Sequence, residues 1–597
     1  MDNRIGEHRV GLGLCFSVIV ASSFAVYWWL SPPDFPREVV FRGGEILSMN
    51  TSAPDPEALL IRDGRIIAVG SEREVSAVVG ESMEYFDLQG TTLMPGLIEP
   101  HTHPIAAALT GAVLDVSGIT HSSRTEVMTT LREAAEGFSL RDWILAFGWD
   151  PVMVADLDPP TLAELDEIAP DRPMLVLTQM MHDAYANSAA LAAAGIDGGT
   201  PDPPGGEFVR DEAGKLTGTV RETSAIDRLV DALPPPPARS IDLLLSLQYG
   251  KYARAGYTTI GVLGPVGRSA DPIALMQRLA EDPGVPLRTV IYALPAQLSG
   301  GAYEPGHGND RFRIRGVKFW IDGSPFAGGA ALAEPYEDTW LTRERLHLGS
   351  GHMGTLNYEA NEFELQFAKY HRAGFQIATH VQGERAVDLV LAAAKKAQQD
   401  YLRKDARHRL EHNALITQAQ LVRAKALGMT TSFFVDHIYF YGKQLPNLVG
   451  PDRTKRYMPL GTAARAGHRV TIHTDNPATP IAPFRALRTA VLRQPRDGGE
   501  PIALAERLDV ETALRGMTIE AAWQLGAEDE IGSLEPGKRA DLVRLSANPM
   551  TTEPERLTEI EVLGTWVEGR PVDARTWTWR NVRLGATMLW KVLSRQN

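Results

Sequence analysis

The sequence predicts an α/β protein: a (β/α)8 TIM barrel, a small β-sandwich formed from both chain ends, an inserted lobe, and one transmembrane helix at the N-terminus. Eight short apolar runs in the middle of the chain have the length of buried strands. Helix-length amphipathic stretches, such as residues 358–374, separate most of these runs. Short alternating segments with Gly and Asp turns stand on both sides of this region, and they predict a second, all-β unit.

The first 36 residues predict a membrane anchor and a spacer. Val10 to Leu30 is a run of 21 residues without a charge, long enough to cross a hydrocarbon layer of about 30 Å. Arg4 and Arg9 precede the run, so the N-terminus is expected on the cytoplasmic side and the bulk of the chain outside. The alternative is a cleaved signal peptide, which would make the protein secreted.

The rest of the chain divides into a barrel and its attachments. Residues 37–91 and 530–574 share short alternating strand patterns and predict the two parts of the sandwich, with the barrel domain at 92–529 between them. Residues 104–240 are too many for a loop and predict the inserted lobe. Residues 575–597 form a basic amphipathic tail, which either lies on a membrane surface or packs as a terminal helix on the folded body.

Polar residues close several of the predicted barrel strands. The strands are predicted at 92–98, 258–263, 287–294, 314–321, 376–380, 407–412, 429–434 and 469–474. The polar residues at or just beyond strand ends are His101, His103, Lys318, His380, His412 and Asp475. Since a barrel gathers the carboxyl ends of its strands on one face, these side chains are expected to lie together.

The residue types in this set indicate a site for one or two divalent metal ions, with zinc the expected metal. Cys15 is the only cysteine, so a thiolate site is excluded and the ligands must be His, carboxylate or modified Lys. Lys318 fits such a site only if carbon dioxide carboxylates it, because an ammonium group repels a cation. Asp475 would then take the proton from the attacking water and deliver it to the leaving nitrogen.

Each candidate also has a simpler structural interpretation. Lys318 would pair with Asp322, and Asp475 would cap the turn that follows it. His380 and His412 would be core histidines whose nitrogens bind the backbone.

The composition narrows the classes of partner. The formal net charge of −14, with no extended basic face in the central region, argues against a nucleic-acid partner. A chain of 597 residues with 44% hydrophobic residues can bury a large core, and a small molecule is the expected ligand. A homo-oligomer is compatible with the sequence.

Several motifs resemble the amidohydrolase superfamily, and within it amidohydrolase family 3, the YtcJ-like metal-dependent hydrolases related to N-substituted formamide deformylase. They are HDAYANSAAL at 182–191, TPDPPGGEFVRD at 200–211, IDGSPFAGGAAL at 321–332, HVQGERAV at 380–387, HTDNPATP at 473–480 and IGSLEPGKRADLV at 531–543. The resemblance runs from Glu38 to Val572. Glu99 and Glu384 depart from the family pattern, each being one methylene longer than the usual Asp.

The resemblance also implies roles for single residues. It implies metal binding by His101, His103, His380, His412 and Asp475, a carboxylated Lys318 as bridge, and Asp475 as proton shuttle. By the same resemblance, substrate contacts are expected from His182, Asn187 and His437. The alternatives are a helix cap for Asn187 and surface positions for the two histidines.

The expected function is hydrolysis of a non-peptide C–N bond, in an amide or an N-acyl or N-formyl group of a small molecule, by metal-activated water. An esterase or lactonase using the same site is one alternative. A catalytically silent, membrane-tethered binding or regulatory protein is another, and the complete ligand set speaks against it.

Overall fold

The computed structural model describes most of the chain. The described residues are 35–52, 56–80, 83–137, 143–181, 183–203, 206–234, 240–266, 271–282, 284–285 and 287–594.

The N-terminal part of the described chain is made of strands. They are β1 (Glu38–Arg42), β2 (Glu45–Ile46), β3 (Ala58–Arg62), β4 (Arg65–Gly70), β5 (Glu84–Asp87) and β6 (Thr92–Pro95), with one short helix at Glu72–Ser76. One sheet has the order β4-β3-β1-β5. The continuous apolar runs of EVVFR and ALLIR bury both faces of β1 and β3, with Phe41 and Leu59 in one cluster and Val40 and Leu60 in another.

Barrel strand β7 (Leu97–Thr102) follows directly after β6 and leads into the inserted lobe. The lobe holds β8 (Leu114–Asp115), β9 (Ile144–Trp149), β10 (Met174–Thr178), β11 (Asp183–Ala186), β12 (Glu207–Arg210) and β13 (Leu216–Arg221) in one six-stranded sheet of order β12-β13-β11-β10-β9-β8. Helices in this region lie at Pro104–Thr110, Arg124–Glu136, Leu162–Ile168, Ser188–Ala193 and Thr223–Asp231.

The remaining barrel strands are β14 (Tyr257–Leu263), β15 (Arg288–Ala293), β16 (Phe312–Trp320), β17 (Gln376–Val381), β18 (Arg409–His412), β19 (Thr430–Phe433) and β20 (Val470–Ile472). Barrel helices lie at Ser240–Arg254, Pro272–Ala280, Ala360–Arg372, Glu384–Asp400, Gln418–Ala426, Asp436–Tyr441, Leu445–Val449, Pro451–Thr454, Leu460–Arg465, Pro483–Leu492, Val510–Gly516 and Ile519–Leu525. All eight strands are parallel, in the order β20-β19-β18-β17-β16-β15-β14-β7. The predicted eight-stranded parallel barrel is therefore confirmed.

The barrel is nearly closed. Its edge strands β7 and β20 form no ladder with each other, but the backbone N–H and the hydroxyl of Thr474, just beyond β20, both donate to the Glu99 carboxylate in β7. This polar link joins the two edges at the rim where the predicted ligands lie.

The first predicted barrel strand, 92–98, is corrected by the structure. Thr92–Pro95 pairs with a C-terminal strand instead, and the barrel strand begins only at Leu97. Gly96 lies between the two, where a Cβ atom would stand 2.2 Å from the Thr258 side chain. A close backbone approach that only glycine permits therefore divides one apolar run into strands of two different sheets.

The C-terminal strands are β21 (Leu542–Leu545), β22 (Val562–Val567) and β23 (Arg570–Pro571), and the second terminal sheet has the order β2-β6-β21-β22-β23. The indole of Trp566 meets Phe41 and Phe86 edge to face, each at a centroid distance of 5.7 Å. This aromatic contact packs the two terminal sheets on one core, so the first and last strands of the folded body depend on each other.

The last helix, Trp579–Ser594, packs on the barrel helix Ser240–Arg254. Ser246 donates to Asn581 over 2.8 Å, and Arg580 lies 2.7 Å from Asp282. Leu584 is buried. The basic tail is thus held against the folded body.

The predicted single-pass membrane localisation is corrected. Among the residues that the structure describes, no helix is both long and apolar enough to span a bilayer. The segment Val10 to Leu30, on which the prediction rested, lies outside the described residues.

Candidate metal centre

Parallel strands bring the six predicted ligands to the carboxyl rim of the barrel. His101 lies near the end of β7 and His103 directly after it, Lys318 in β16, His380 in β17, His412 at the end of β18, and Asp475 shortly after β20. Trp320 of β16 pairs with His380 of β17. Lys318 precedes Trp320 by two residues, so it lies one layer deeper than His380 and its side chain points into the barrel.

The imidazole rings form one cluster. The ring centroid of His412 lies 4.7 Å from that of His101 and 4.4 Å from that of His380. His101 and His103 are 5.4 Å apart. Asp475 Oδ1 lies 3.4 Å from His101 Nε2 and 3.2 Å from His103 Nε2. The structure therefore brings together residues that are up to 374 positions apart in the chain.

The polar atoms of this cluster have the character of metal ligands. His101 Nε2, Asp475 Oδ1 and Lys318 Nζ are buried, and none of them has a hydrogen-bond partner among the described residues. Leaving a buried polar atom unpaired costs about 1–3 kcal/mol, so three in one place need an explanation. Burial holds the pKa values of His101 and His412 well below the usual range, and neutral imidazoles are the form that binds zinc-like ions.

The geometry suits cation binding in two overlapping groups. His101, His412 and His473 can each place one ligand atom within 4.8 Å of the others, and so can His101, His103 and Asp475. His101 belongs to both groups. The residues therefore fit one or two divalent ions.

His473 was not among the ligands predicted from the sequence. Its Nε2 lies 3.1 Å from His412 Nδ1, and its Nδ1 lies 2.7 Å from the hydroxyl of Ser432. Its ring is 4.6 Å from that of His101. His473 stands two residues before Asp475, the same spacing that singled out His101 and His103, so the period of two could have found it.

Glu411 was also missed, although it precedes a predicted ligand. Its Oε2 lies 2.8 Å from His101 Nδ1, and Arg409 donates to both of its oxygens over 2.6 and 3.1 Å. All three side chains are completely buried. Because the Glu411 carboxylate, held by Arg409, accepts the proton of Nδ1, it leaves Nε2 of His101 unprotonated and directed at Asp475. A buried Glu beside a buried Arg is the signal that identifies such a pair.

Lys318 is not paired with Asp322. Both oxygens of Asp322 accept from backbone N–H groups, at 3.0 Å from Ala331, at 3.0 and 3.2 Å from Gln382 and at 2.8 Å from Gly383. Burial lowers the pKa of Lys318 to about 8, and the carboxylates of Glu411 and Asp475 oppose that shift. About one tenth of the amine is therefore uncharged at pH 7, far more than for an ordinary lysine.

The two longer carboxylates have different positions. Glu99 accepts from the Thr474 hydroxyl over 2.8 Å, and burial raises its pKa to about 8. Glu384 lies 2.5 Å from Arg456 and accepts from the backbone of Ala333. Glu99 therefore supports the ligand strand β7, whereas Glu384 fixes loops beside it.

Two of the predicted ligands have an unusual backbone. His412 and Asp475 have φ angles of +72° and +54°, in the left-handed region that costs a non-glycine residue about 1 kcal/mol or more. The amide of Asn413 donates to the carbonyls of Leu410 and Ser432 and holds the first of these turns. Such strain persists only where surrounding contacts impose it, as at functional sites.

The structure places the predicted substrate-binding residues differently relative to the ligand cluster. His182 lies outside the described residues. Asn187 is a buried helix cap of the lobe: its Oδ1 accepts from Met174 and Ala190, each over 2.9 Å, so the structure does not bring it to the cluster. His437 is buried rather than on the surface, with its ring 4.4 Å from Phe434, which in turn lies 5.5 Å from His473. One aromatic ring, that of Phe434, therefore separates His437 from the cluster of candidate ligands.

A nearly closed barrel with a His and Asp cluster at its carboxyl rim is the architecture of barrel metal hydrolases. The chain belongs to the amidohydrolase family, whose sequence profile matches residues 84–573. The resemblance seen in the sequence is thereby confirmed.

Similar proteins cover nearly the whole chain. The N-substituted formamide deformylase of Arthrobacter pascens is 28% identical over 546 residues, which are 89% of this chain and 98% of that protein. The amidohydrolase-family protein YtcJ of Bacillus subtilis (strain 168) is 27% identical over 90% of this chain and 99% of its own. The crystal structure of an uncharacterized metal-dependent hydrolase from Pyrococcus horikoshii OT3 shares the fold, with a TM-score of 0.68, 23% identity, and coverage of 87% of this chain and 99% of that one. Together these relatives and the His cluster support a metal-dependent hydrolase.

Proposed function

We propose that the protein hydrolyses a non-peptide C–N bond, in an amide or an N-acyl or N-formyl group of a small molecule, with one or two zinc ions as cofactor. The proposed ligands are His101, His103, His380, His412, Asp475 and carboxylated Lys318, with His473 as a further candidate. The observation that carries the proposal is that three buried polar atoms without a hydrogen-bond partner among the described residues meet at the carboxyl rim of the barrel: His101 Nε2, Asp475 Oδ1 and Lys318 Nζ. When bound, a divalent metal there lowers the pKa of water and polarises a carbonyl group.

Asp475 is the residue placed to move the proton. Its side chain is partly accessible, whereas His101 and Lys318 are closed off from solvent. A carboxylate in this position accepts a proton from the attacking water and returns it to the leaving nitrogen, so that the amine departs neutral. A leaving nitrogen needs this proton far more than an alkoxide does, which favours C–N over ester cleavage as the task of the site.

Lys318 completes the ligand set after reaction with carbon dioxide. The neutral Nζ attacks the carbon atom, an N–C bond forms, one proton is released, and the product is a carbamate anion with two ligand oxygens. Carbon-13 NMR of protein equilibrated with labelled bicarbonate should show one carbamate resonance that Lys318→Ala lacks. Short carboxylates should partly restore the activity of that variant, and the absence of both effects would remove the carbamate from the proposal.

The relatives support the C–N preference. The protein named N-substituted formamide deformylase aligns along 98% of its length, and its name describes removal of a formyl group from nitrogen. At 28% identity the substrate itself does not transfer, so N-formyl amines are the first compounds to test.

The test combines metal analysis with a substrate screen. We expect one or two equivalents of zinc in the purified protein and hydrolysis of N-formyl amines or N-acyl amino acids in preference to aryl esters and lactones. His412→Ala should lose most of the metal and the activity. His468→Ala is the matched control, because within the described part of the chain that buried histidine hydrogen-bonds through Nε2 to the carbonyl of Leu421 over 2.9 Å and to no predicted ligand.

Stoichiometric metal in His412→Ala would refute the ligand assignment. Cleavage of esters or lactones alone would replace the amidase proposal by an esterase. Metal-loaded protein that hydrolyses none of these classes would refute the proposed reaction.

A further inference from the structure

Asp475 lies in an irregular turn, residues 474–480, that follows β20. Its backbone has a φ angle of +54°, in the left-handed region. Within the turn, the N–H of Ala478 donates to the carbonyl of Asp475 over 2.8 Å. A left-handed conformation costs a non-glycine residue about 1 kcal/mol or more, so contacts from the surroundings must impose it.

The next residue, Asn476, is the centre of these contacts. Its side chain is buried, and it forms three of the four hydrogen bonds that a carboxamide can make. Its Oδ1 accepts from Nε2 of Gln248 over 2.9 Å and from the hydroxyl of Tyr252 over 3.0 Å. Its Nδ2 donates to the carbonyl of Thr479 over 2.9 Å. The amide therefore braces the turn and joins it to another element.

The backbone of Asn476 ties the same turn to the strand of the first two predicted ligands. Its carbonyl accepts from the N–H of His103 over 2.9 Å and from the hydroxyl of Thr102 over 3.1 Å. The Thr102 hydroxyl also lies 2.6 Å from the Tyr252 hydroxyl. Since Asp475 Oδ1 lies 3.2 Å from His103 Nε2, a shift of Asn476 changes the separation of the carboxylate from that imidazole.

One helix supplies both donors to the Asn476 amide oxygen. Gln248 and Tyr252 are four residues apart in the helix Ser240–Arg254, so they lie on one face. Both side chains are buried. Hydrogen bonds depend on distance and angle, so two donors directed at one oxygen atom define its position more sharply than apolar packing does. The helix therefore fixes Asn476 relative to the barrel.

Other contacts hold the far end of the turn. Nε2 of Gln179, from the inserted lobe, donates to the carbonyl of Ala478 over 2.8 Å. The hydroxyl of Thr479 donates to the carbonyl of Thr474 over 2.6 Å. These contacts do not pass through the side chain of Asn476, so its removal should shift Asp475 and leave the turn folded.

We propose that Asn476 is a positioning residue, which holds the carboxylate of Asp475 at the distance from His101 and His103 that proton transfer requires. The inference rests on the proposed function, in which Asp475 moves the proton. A displacement of about 1 Å near the reacting atoms can cost about 10²-fold in rate. Loss of the Asn476 amide therefore acts on turnover, while binding of substrate and zinc is retained.

The first experiment measures turnover by the zinc-loaded, full-length protein, with the N-formyl amine or N-acyl amino acid that the unaltered protein hydrolyses fastest. Asn476→Ala should lower kcat about 10- to 100-fold, with KM changed less than about 3-fold and the zinc content unchanged. Tyr252→Phe removes one donor to Oδ1 and should lower kcat about 5-fold, the equivalent of one neutral hydrogen bond. If Asn476→Ala does not fold, Tyr252→Phe still tests the inference.

Gln420→Ala is the matched control. Gln420 is a buried amide whose Oε1 accepts from the N–H and the hydroxyl of Thr417, over 3.0 and 3.1 Å, and whose Nε2 donates to the carbonyl of Glu384 over 2.8 Å. It thus has the hydrogen-bond pattern of Asn476, on a helix outside the ligand cluster. Its loss should lower the free energy of unfolding and leave kcat within about 2-fold.

A double variant shows whether Asn476 acts through Asp475. In the Asp475→Asn background, Asn476→Ala should lower kcat less than about 2-fold further, because the group that it positions is already disabled. Independent effects would multiply instead, and multiplication would overturn the inference.

Hydrogen exchange of the purified full-length protein measures how firmly the turn is held, without turnover. In Asn476→Ala the N–H groups of His103 and Ala478 should exchange about 10-fold faster than in the unaltered protein. Gln420→Ala should leave their exchange unchanged.

The positioning role and the proposed reaction fail differently. Unchanged kcat in Asn476→Ala, an equal loss of kcat in Gln420→Ala, or a change confined to KM would overturn the positioning role and leave the amidase standing. If the protein hydrolyses no amide, the proposed reaction fails and exchange alone decides. Faster exchange in Asn476→Ala then supports the positioning of Asp475, and unchanged exchange overturns it.

Discussion

Glu411→Gln is the substitution that tests how the site is organised, because it keeps the size of the side chain and removes its charge. In the native protein the two carboxylate oxygens accept from Arg409 and from His101 Nδ1, over 2.6 to 3.1 Å. A glutamine has one acceptor oxygen and one NH2 group. The buried guanidinium of Arg409 attracts the oxygen, so the NH2 group turns toward His101.

This orientation of the glutamine amide changes the tautomer of His101. Nδ1 must then accept a hydrogen bond, which places the ring proton on Nε2, the nitrogen that faces Asp475. A protonated nitrogen cannot bind metal, and losses of this kind reduce metal affinity about 10- to 100-fold. Each factor of ten is about 1.4 kcal/mol, so the expected loss is about 1.4–2.8 kcal/mol of binding free energy. Loss of the buried partner of Arg409 also lowers the free energy of unfolding by about 3–5 kcal/mol.

The assay separates these two effects. Zinc affinity is measured by competition with a fluorescent chelator, and stability by urea unfolding of the metal-free protein. Asp541→Asn is the matched control, since Asp541 is a buried carboxylate that pairs with Arg288 over 2.6 and 3.2 Å without touching a ligand. Both variants should lose stability, but only Glu411→Gln should lose affinity. Unchanged zinc affinity in Glu411→Gln would refute the tautomer argument.

Two further predictions concern proton transfer and acid stability. Asp475→Asn should retain metal by elemental analysis but turn over about 10²–10⁴-fold more slowly, and near-normal turnover would assign the proton transfer to another group. His408 Nδ1 accepts from the backbone N–H of Ile377 over 2.9 Å, so its Nε2 carries the proton and donates to His371 Nδ1 over 2.8 Å. His371 Nε2 in turn donates to the carbonyl of Tyr401 over 2.7 Å. Burial lowers the pKa of both histidines in the folded protein. Below about pH 6.5 the unfolded chain therefore binds more protons than the folded one. The free energy of unfolding is highest above that pH and decreases as the pH falls. Measured by urea unfolding between pH 7.5 and 5, the free energy of unfolding should fall by up to about 1.4 kcal/mol per pH unit for each histidine. The fall should be shallower in His371→Gln, and the same fall in both proteins would contradict the prediction.

The barrel could be predicted from the sequence because its signals are local. Each strand is a short apolar run between amphipathic helices, and His101, His380 and His412 lie in the strands themselves, so periodicity alone placed them at the rim. Apart from the first strand, strand ends differ from the prediction by at most two residues, where hydrogen bonding rather than apolarity sets the limit. The division at Gly96 was not visible, since it depends on contact with Thr258 from a distant strand.

Two expectations drawn from local sequence can be compared with the described part of the structure. A charge-free stretch predicts a membrane span from composition alone, whereas the described residues contain no helix suited to one. Asn187 shows a related limit: as part of a recognised motif it was expected near substrate, but it serves as a helix cap, because the turn before Ser188 needs its oxygen.

By itself, the sequence determined the family, the parallel barrel and most residues of the histidine and aspartate cluster at the rim, because strand period and motif are carried by neighbouring residues. The tertiary structure alone decided that Glu411 orients His101 and that Lys318 Nζ has no hydrogen-bond partner among the described residues. These are relations between side chains from separate strands, and only the packing of the folded chain fixes the distances and the burial that give them their chemistry.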